Sequence, residues 1–185
     1  MERQLAPDLS GIHPGHLERY FFAKDRVSGT VLDAACGCGY GSKIMHDAGS
    51  FVTGIDLSME AIDYARANYP GPEYIRADVS KYSGQYDWVV SFETLEHVPN
   101  PEVALRNFRQ SRRLIVSTPN EELYPFSKWK NDGDDYPHLR HYTPRELDDM
   151  LKACGWKVLE RFAQEKKVSK VTVGTYGMFL IYVCG

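Results

Sequence analysis

The amino-acid sequence predicts an α/β protein of one domain, residues 1–185, built on a doubly wound, mostly parallel sheet of seven strands that ends in an antiparallel hairpin. Three observations predict it. Five short runs rich in Val, Ile, Leu and aromatic residues alternate with amphipathic helical patterns, which is how a parallel sheet covered on both faces reads. The first run, Val31 to Cys36, passes straight into a turn where Gly37, Gly39 and Gly41 alternate, and such a strand–turn–helix is a nucleotide cradle in doubly wound folds. Two late β-rich runs, near 156–163 and 175–184, have no helix between them.

Residues 1–14, with Pro7, Gly11 and Pro14, read as an irregular N-terminal segment. A helix is expected from Gly15, with Leu17, Tyr20 and Phe21 on one face, ended by Ser28-Gly29. Ala34, Ala35 and Cys36 are small enough for the first strand to pack on both faces. Ile44, Met45 and Ala48 mark the first crossover helix, closed by Gly49. Phe51 to Asp56 is the second strand, and Ser58 caps the helix that buries Ala61, Ile62 and Ala65 before Pro70-Gly71-Pro72 stops it. Tyr74 to Asp78 and Tyr86 to Phe92 are the third and fourth strands. Asn100-Pro101-Glu102 combines a cap, a proline at the first helical position and an acid in the first turn. Arg113 to Ser117 is the fifth strand. Residues 119–142 form a long aromatic and polar segment, in which Tyr124, Phe126, Trp129 and Tyr136 are candidates for a ligand-facing wall or for a self-packed surface loop. Thr143 and Glu146 have capping-box spacing, and Gly155 closes that helix. A basic loop, Lys166 to Lys170, separates the two late strands.

Composition narrows the function. A formal net charge of -3 gives no bulk attraction to phosphate backbones. Arg106, Arg109, Arg112 and Arg113 read as a solvated helix face and linker. Four cysteines, two of them in the glycine turn, match neither a disulfide framework nor a zinc site. There is no leader pattern and no apolar run of about 18 residues, so a cytoplasmic protein without membrane insertion is expected.

The cradle's ligand follows from spacing. Gly37 to Asp56 is the interval at which an acid ending the second strand reaches ribose hydroxyls, which suits NAD and S-adenosyl-L-methionine alike. Position 42 is Ser, where the dinucleotide pattern requires a third glycine. Asp78 places a polar group where an adenine amino group can be bonded, and a terminal hairpin has no place in the dinucleotide fold. These features favour S-adenosyl-L-methionine.

With these residues in view, the chain resembles the class I S-adenosylmethionine-dependent methyltransferases, which are Rossmann-like, over nearly its full length. "VLDAACGCGYGS", "VTGIDLS", "IRADVS", "YDWVVSFETLEHV" and "LIVSTPN" stand in that family's order, and "HLERYFFA" resembles the helix that closes over the cofactor in bacterial members. The resemblance implies that Gly37 and Gly39 let the backbone approach the methionine moiety and that Asp33 anchors the turn and the methionine amino group. It implies that Asp56 bonds the ribose hydroxyls with Leu57 against the adenine, and that Asp78 and the Val79 N–H bond the adenine. Ala35, Gly41 and Phe92 complete the expected cofactor-binding set.

The implied reaction is in-line attack on the sulfonium methyl, which needs positioning and a base for the acceptor. Glu93, Glu96 and His97 follow the fourth strand, one helical turn separating the two acids, and His97 and Glu93 are the expected catalytic pair. Glu-x-x-Glu-His also resembles the metal-binding set of small-RNA 3′-end 2′-O-methyltransferases, where Glu93, Glu96, His97 and His138 would hold a divalent cation, Mg or Mn, with His141 competing for the place of His138. The same pattern occurs in ubiquinone-type and glycan-associated O-methyltransferases. The acid run Asp132–Asp135 disfavours RNA. Phe92-Glu93-Thr94-Leu95 stands where exocyclic-amine DNA methyltransferases carry Asp-Pro-Pro-Tyr. The expected function is O-methylation of a small-molecule or glycan-type hydroxyl. The alternatives are a metal-dependent enzyme acting on an RNA end, and a degenerate S-adenosylmethionine-binding regulator. The glycine spacing disfavours a dinucleotide oxidoreductase.

Overall fold

The computed structural model describes residues 6–128, 138–165 and 170–185. Trp129, Tyr136, the Asp132–Asp135 run and residues 166–169 of the basic loop lie outside them. The helices are α1 (Pro14–Lys24), α2 (Tyr40–Asp47), α3 (Met59–Asn68), α4 (Pro101–Phe108) and α5 (Pro144–Ala153). The strands are β1 (Thr30–Ala34), β2 (Phe51–Asp56), β3 (Glu73–Arg76), β4 (Trp88–Phe92), β5 (Arg113–Pro119), β6 (Val158–Gln164), β7 (Val171–Val173) and β8 (Phe179–Cys184).

One sheet runs in the order β3-β2-β1-β4-β5-β8-β6-β7. The first five strands pair in parallel; β8 runs antiparallel to both β5 and β6, and β7 closes the edge antiparallel to β6. Among the described residues the sheet therefore has eight strands where the sequence predicts seven. The extra one, β7, is three residues long and stops at Gly174, which takes φ +117°; that is too short for a period-two pattern to be read. Of the expected antiparallel pair, β8 is the inner strand, lying between β5 and β6, and all six of its residues are buried. A strand covered on both faces reads as a continuous apolar run, as Phe179 to Val183 does.

Adjacent residues of each parallel strand serve opposite faces. Val31, Val90 and Ile115 pack with Ala23 of α1, Met45 of α2 and Ile62 of α3. Leu32, Val89 and Leu114 pack with Leu105 and Phe108 of α4 and Leu147 and Leu151 of α5. Where the strand order reverses, β1 and β4 lie side by side, and their carboxyl ends open the crevice in which α/β sheets bind ligands. Thr94 ties that opening together by donating to the carbonyls of Phe92 (3.0 Å) and Ala34 (3.5 Å).

The caps divide. Ser58 Oγ accepts from the Ala61 N–H, and Thr143 with Glu146 completes a reciprocal capping box. Asn100, also expected to cap, makes no side-chain cap bond; Pro101 already removes one of the N–H groups that need a partner. Thr143→Ala is expected to lower the unfolding free energy by about 1 kcal/mol in urea titration, and Asn100→Ala to change it by less than about 0.5 kcal/mol.

Candidate active site

The chain leaves β1 through a contorted turn. Ala35 takes φ +63° although it has a side chain, and Gly37 and Gly39 take +54° and +90°. The three glycines do different work. A Cβ on Gly39 would lie 2.6 Å from that of Ala65. One on Gly41 would lie 2.0 Å from the Tyr20 ring, which α1 lays across it. One on Gly37 would meet nothing within 4 Å, so this backbone faces open space. Gly41 thus serves the close approach of α1 to α2, behind the cavity described below.

Asp33 is fully buried under the turn and accepts from Ser42 Oγ at 2.6 Å and the Tyr20 hydroxyl at 3.2 Å. Burial pushes its carboxyl up to about 7 against the pull of those two hydrogen bonds. The fold therefore holds a proton that the unfolded chain releases near pH 4. The stability this supplies is complete below about pH 4 and is lost as pH rises to about 7. Asp33→Asn carries no such proton, so the stability of the wild type relative to that variant should fall across this window in urea titrations at a series of pH values. A difference independent of pH would contradict the assignment.

Asp56, at the end of β2, accepts from the N–H groups of Gly37 (3.0 Å) and Ser58 (2.9 Å), which fixes the glycine turn against the start of α3. Asp78, two residues past β3, accepts from the Ser80 N–H at 2.8 Å. Both acids wall a cavity of about 530 Å³, together with Ala35, Gly37, Leu57 and Val79. Of the expected cofactor-binding residues, Asp33, Gly39, Gly41 and Phe92 are not on this wall. Phe92 packs edge-on against Tyr20, with ring centres 5.1 Å apart.

Glu93 and His97 line the same cavity from the β4 side. No helix face holds the two glutamates, contrary to the spacing argument. Glu93 stands in the turn with φ +49°, and only a short 3-10 helix, Leu95–His97, follows. The Glu93 carboxylate takes the Ser117 hydroxyl at 2.7 Å. Glu96 is fully buried: its Oε2 takes Thr118 Oγ1 at 3.4 Å, while its Oε1 has no hydrogen-bond partner. Burial, and then the neighbouring Glu93 carboxylate, push the Glu96 carboxyl well above the usual range.

Donor atoms of Glu96, His97 and His138 lie within 4.8 Å of one another; Glu93, expected with them, is outside this group. His141 stands behind His138 rather than in its place. His141 Nδ1 lies 2.6 Å from the Tyr124 carbonyl, which can only accept, so this nitrogen carries the hydrogen. A neutral His141 then offers Nε2 as acceptor to His138 Nδ1, 2.7 Å away, and His138 keeps its lone pair on Nε2. Burial, then His97 and His141, hold His138 down to about 2, so this imidazole is neutral. Ser42, Ser117, Thr118 and the Tyr124 carbonyl do this supporting work, and no motif singles them out.

A methyltransferase-domain model matches residues 7–161. The ubiquinone biosynthesis O-methyltransferase of Aeromonas salmonicida is 32% identical over 181 residues, 84% of this chain and 74% of that protein. A probable S-adenosylmethionine-dependent methyltransferase of Mycolicibacterium smegmatis is 28% identical over 139 residues, 69% of this chain; the chain spans 52% of that protein's length. Among solved structures, the CcbJ methyltransferase of Streptomyces caelestis superposes with a TM-score of 0.74 at 17% identity, covering 97% of this chain and 98% of that one. The magnesium protoporphyrin IX methyltransferase of Synechocystis, solved with bound SAH, gives 0.67 at 21% identity, covering 96% and 87%. No helix among the described residues is long and apolar enough to cross a membrane. With its glycine turn, strand-end acids and switch-point cavity, the chain belongs to the class I S-adenosylmethionine-dependent methyltransferases.

Proposed function

We propose that this chain methylates a hydroxyl group of a small-molecule or glycan-type acceptor. One observation carries the reading: Glu93 and His97 wall the same cavity as Asp56 and Asp78. The residues fit S-adenosyl-L-methionine, because the open space over Gly37 admits a group against the backbone and the two acids stand at successive strand ends. When bound, the cofactor supplies an electrophilic methyl on a sulfonium. Asp56 holds the ribose hydroxyls, Asp78 the adenine amino group, and Leu57 and Val79 cover the base. His97 takes the hydroxyl proton as the acceptor oxygen attacks, and Glu93, fixed by Ser117, orients that hydroxyl. The apolar part of the wall, including Val98 and Val103, keeps water from competing. The test is calorimetry with S-adenosylhomocysteine and with NADH, followed by methyl transfer to matched hydroxyl and amine acceptors. Binding of the first ligand alone and transfer to hydroxyls support the reading. S-adenosylhomocysteine binding without any turnover favours a regulatory protein.

A second reading is favoured by the unpartnered Glu96 oxygen beside the lone-pair nitrogen of His138. Carbonyl–His–His backing is the arrangement that orients an imidazole metal ligand. Glu96, His97 and His138 would hold Mg or Mn, which lowers the pKa of a coordinated hydroxyl; an RNA end is the acceptor class this would suit. Loss of turnover in EDTA, restored by Mn or Mg, supports it, and full turnover in EDTA removes it.

A further inference from the structure

Asn100 stands at the helix-start position from which its side chain should cap α4, and it does not. The backbone shows why. Pro101 brings no N–H, and the Val103 N–H, one of the two that a capping side chain takes, is bonded to the Asn100 carbonyl at 3.1 Å. The side chain is left exposed, on the wall of the same cavity as Asp78 and Val79. A primary amide offers a carbonyl acceptor and an N–H donor side by side in one plane.

The rest of α4 fixes that amide relative to the segment after β3. Val103 and Asn107 follow Asn100 at helical spacing and share its face. Val103 lines the cavity too. Asn107 Nδ2 donates to the Ser80 carbonyl at 2.9 Å. Just past the helix, the Ser111 hydroxyl accepts from the Tyr86 N–H at 3.1 Å and donates to the Gly84 carbonyl at 3.4 Å. The stretch that carries Asp78 is thus tied, at three points, to the helix that begins after Asn100.

We propose that Asn100 reads the second polar edge of the donor's adenine, which makes it a specificity-determining residue of this enzyme. The inference rests on the reading of the cavity as the S-adenosylmethionine site. On that reading Asp78 and the Val79 N–H take the edge of the base that carries N1 and one amino hydrogen. The other edge carries the N7 lone pair and the second amino hydrogen, a pattern that an asparagine amide matches with two parallel hydrogen bonds. Asn100 Nδ2 donates to N7, and Oδ1 accepts from the amino group. A base with a carbonyl oxygen in place of the amino group sets that oxygen against Oδ1 and is rejected.

The test pairs S-adenosylhomocysteine with its 7-deaza analogue, in which N7 is replaced by C–H and all else is kept. In calorimetry the wild type should bind the analogue roughly 5- to 30-fold more weakly. Asn100→Ala, whose stability is expected to stay near that of the wild type, should bind the two ligands equally. Asn100→Asp is the sharper variant. An aspartate caps a helix as well as an asparagine does, so a structural role would leave the preference untouched. The proposed role reverses it: the carboxylate opposes the N7 lone pair but tolerates the C–H, so the analogue becomes the tighter ligand. Asn107→Ala releases the Ser80 carbonyl and keeps Asn100, so it should weaken both ligands together. Equal wild-type affinity for the two ligands, or a preference unchanged in Asn100→Ala and Asn100→Asp, overturns the proposal and leaves Asn100 as an exposed helix-start residue. Failure of the wild type to bind S-adenosylhomocysteine would instead sink the reading of the cavity.

Discussion

His97→Ala is expected to lower kcat by about two to four orders of magnitude while leaving S-adenosylhomocysteine affinity within about threefold of the wild type. The split follows from position. The expected donor contacts, Gly37, Asp56 and Asp78, come from the ends of β1, β2 and β3, whereas His97 lines the same cavity from the short 3-10 helix after β4. On the proposed reading, removing its imidazole takes away the proton acceptor without touching the nucleoside side. Single-turnover methyl transfer beside calorimetry measures both quantities. A variant that keeps more than about a tenth of wild-type turnover removes His97 from the chemistry. EDTA then divides the two readings. A metal-free base gives the same rate with and without chelator, whereas the metal reading predicts that chelated wild type falls to the level of the variant.

Gly41→Ala is expected to cost about 1–3 kcal/mol of stability, a large effect for a single methyl group. The new Cβ would sit 2.0 Å from the Tyr20 ring, far inside contact distance, so the ring must leave. With it go the hydrogen bond to Asp33 and the edge-on packing against Phe92 and Tyr40. Because α1 is laid over the turn by this ring, S-adenosylhomocysteine affinity should fall as well. The cause can be isolated. In a Tyr20→Ala background the added methyl group has room, so the two substitutions should be strongly non-additive in urea titration. Additive losses would mean that something other than the ring fills the space above Gly41.

The parallel half of the fold was legible because each strand there is a compact apolar run punctuated by glycine, proline or an acid. Phe51 to Asp56 reads as a strand from sequence and is one, and Ser58 and Thr143 cap where their spacing says they should. The antiparallel half was less legible because its pairing is set by tertiary contacts. β7 borrows its ladder from Phe162–Gln164 and carries no pattern of its own. Strand-end acids were visible because their place in the alternation gives them away. What each carboxylate bonds was not, since Ser42 and Tyr20 reach Asp33 only after α1 and α2 have packed. The glutamates illustrate the limit. Helical spacing puts Glu93 and Glu96 on one face, but Glu93 takes a left-handed backbone conformation and reaches Ser117 instead. Arg19 was illegible for a similar reason: in sequence it is one more charge on an amphipathic helix, and only the arrival of Gln164 and Phe179 buries it.

The interior place of β8 has a kinetic consequence. Leu114 of β5 sits opposite Cys184, so the ladder that joins the two halves of the sheet closes a very long loop of chain. Such closures are slow relative to the local β–α–β units that build β1 to β4. Until β8 docks, β5 and β6 each present an open strand edge with apolar neighbours, and open edges recruit other chains. The half-made sheet is thus the species in which crowding during synthesis and aggregation compete with folding, and the run Phe179 to Val183 is the segment whose timely arrival decides the outcome.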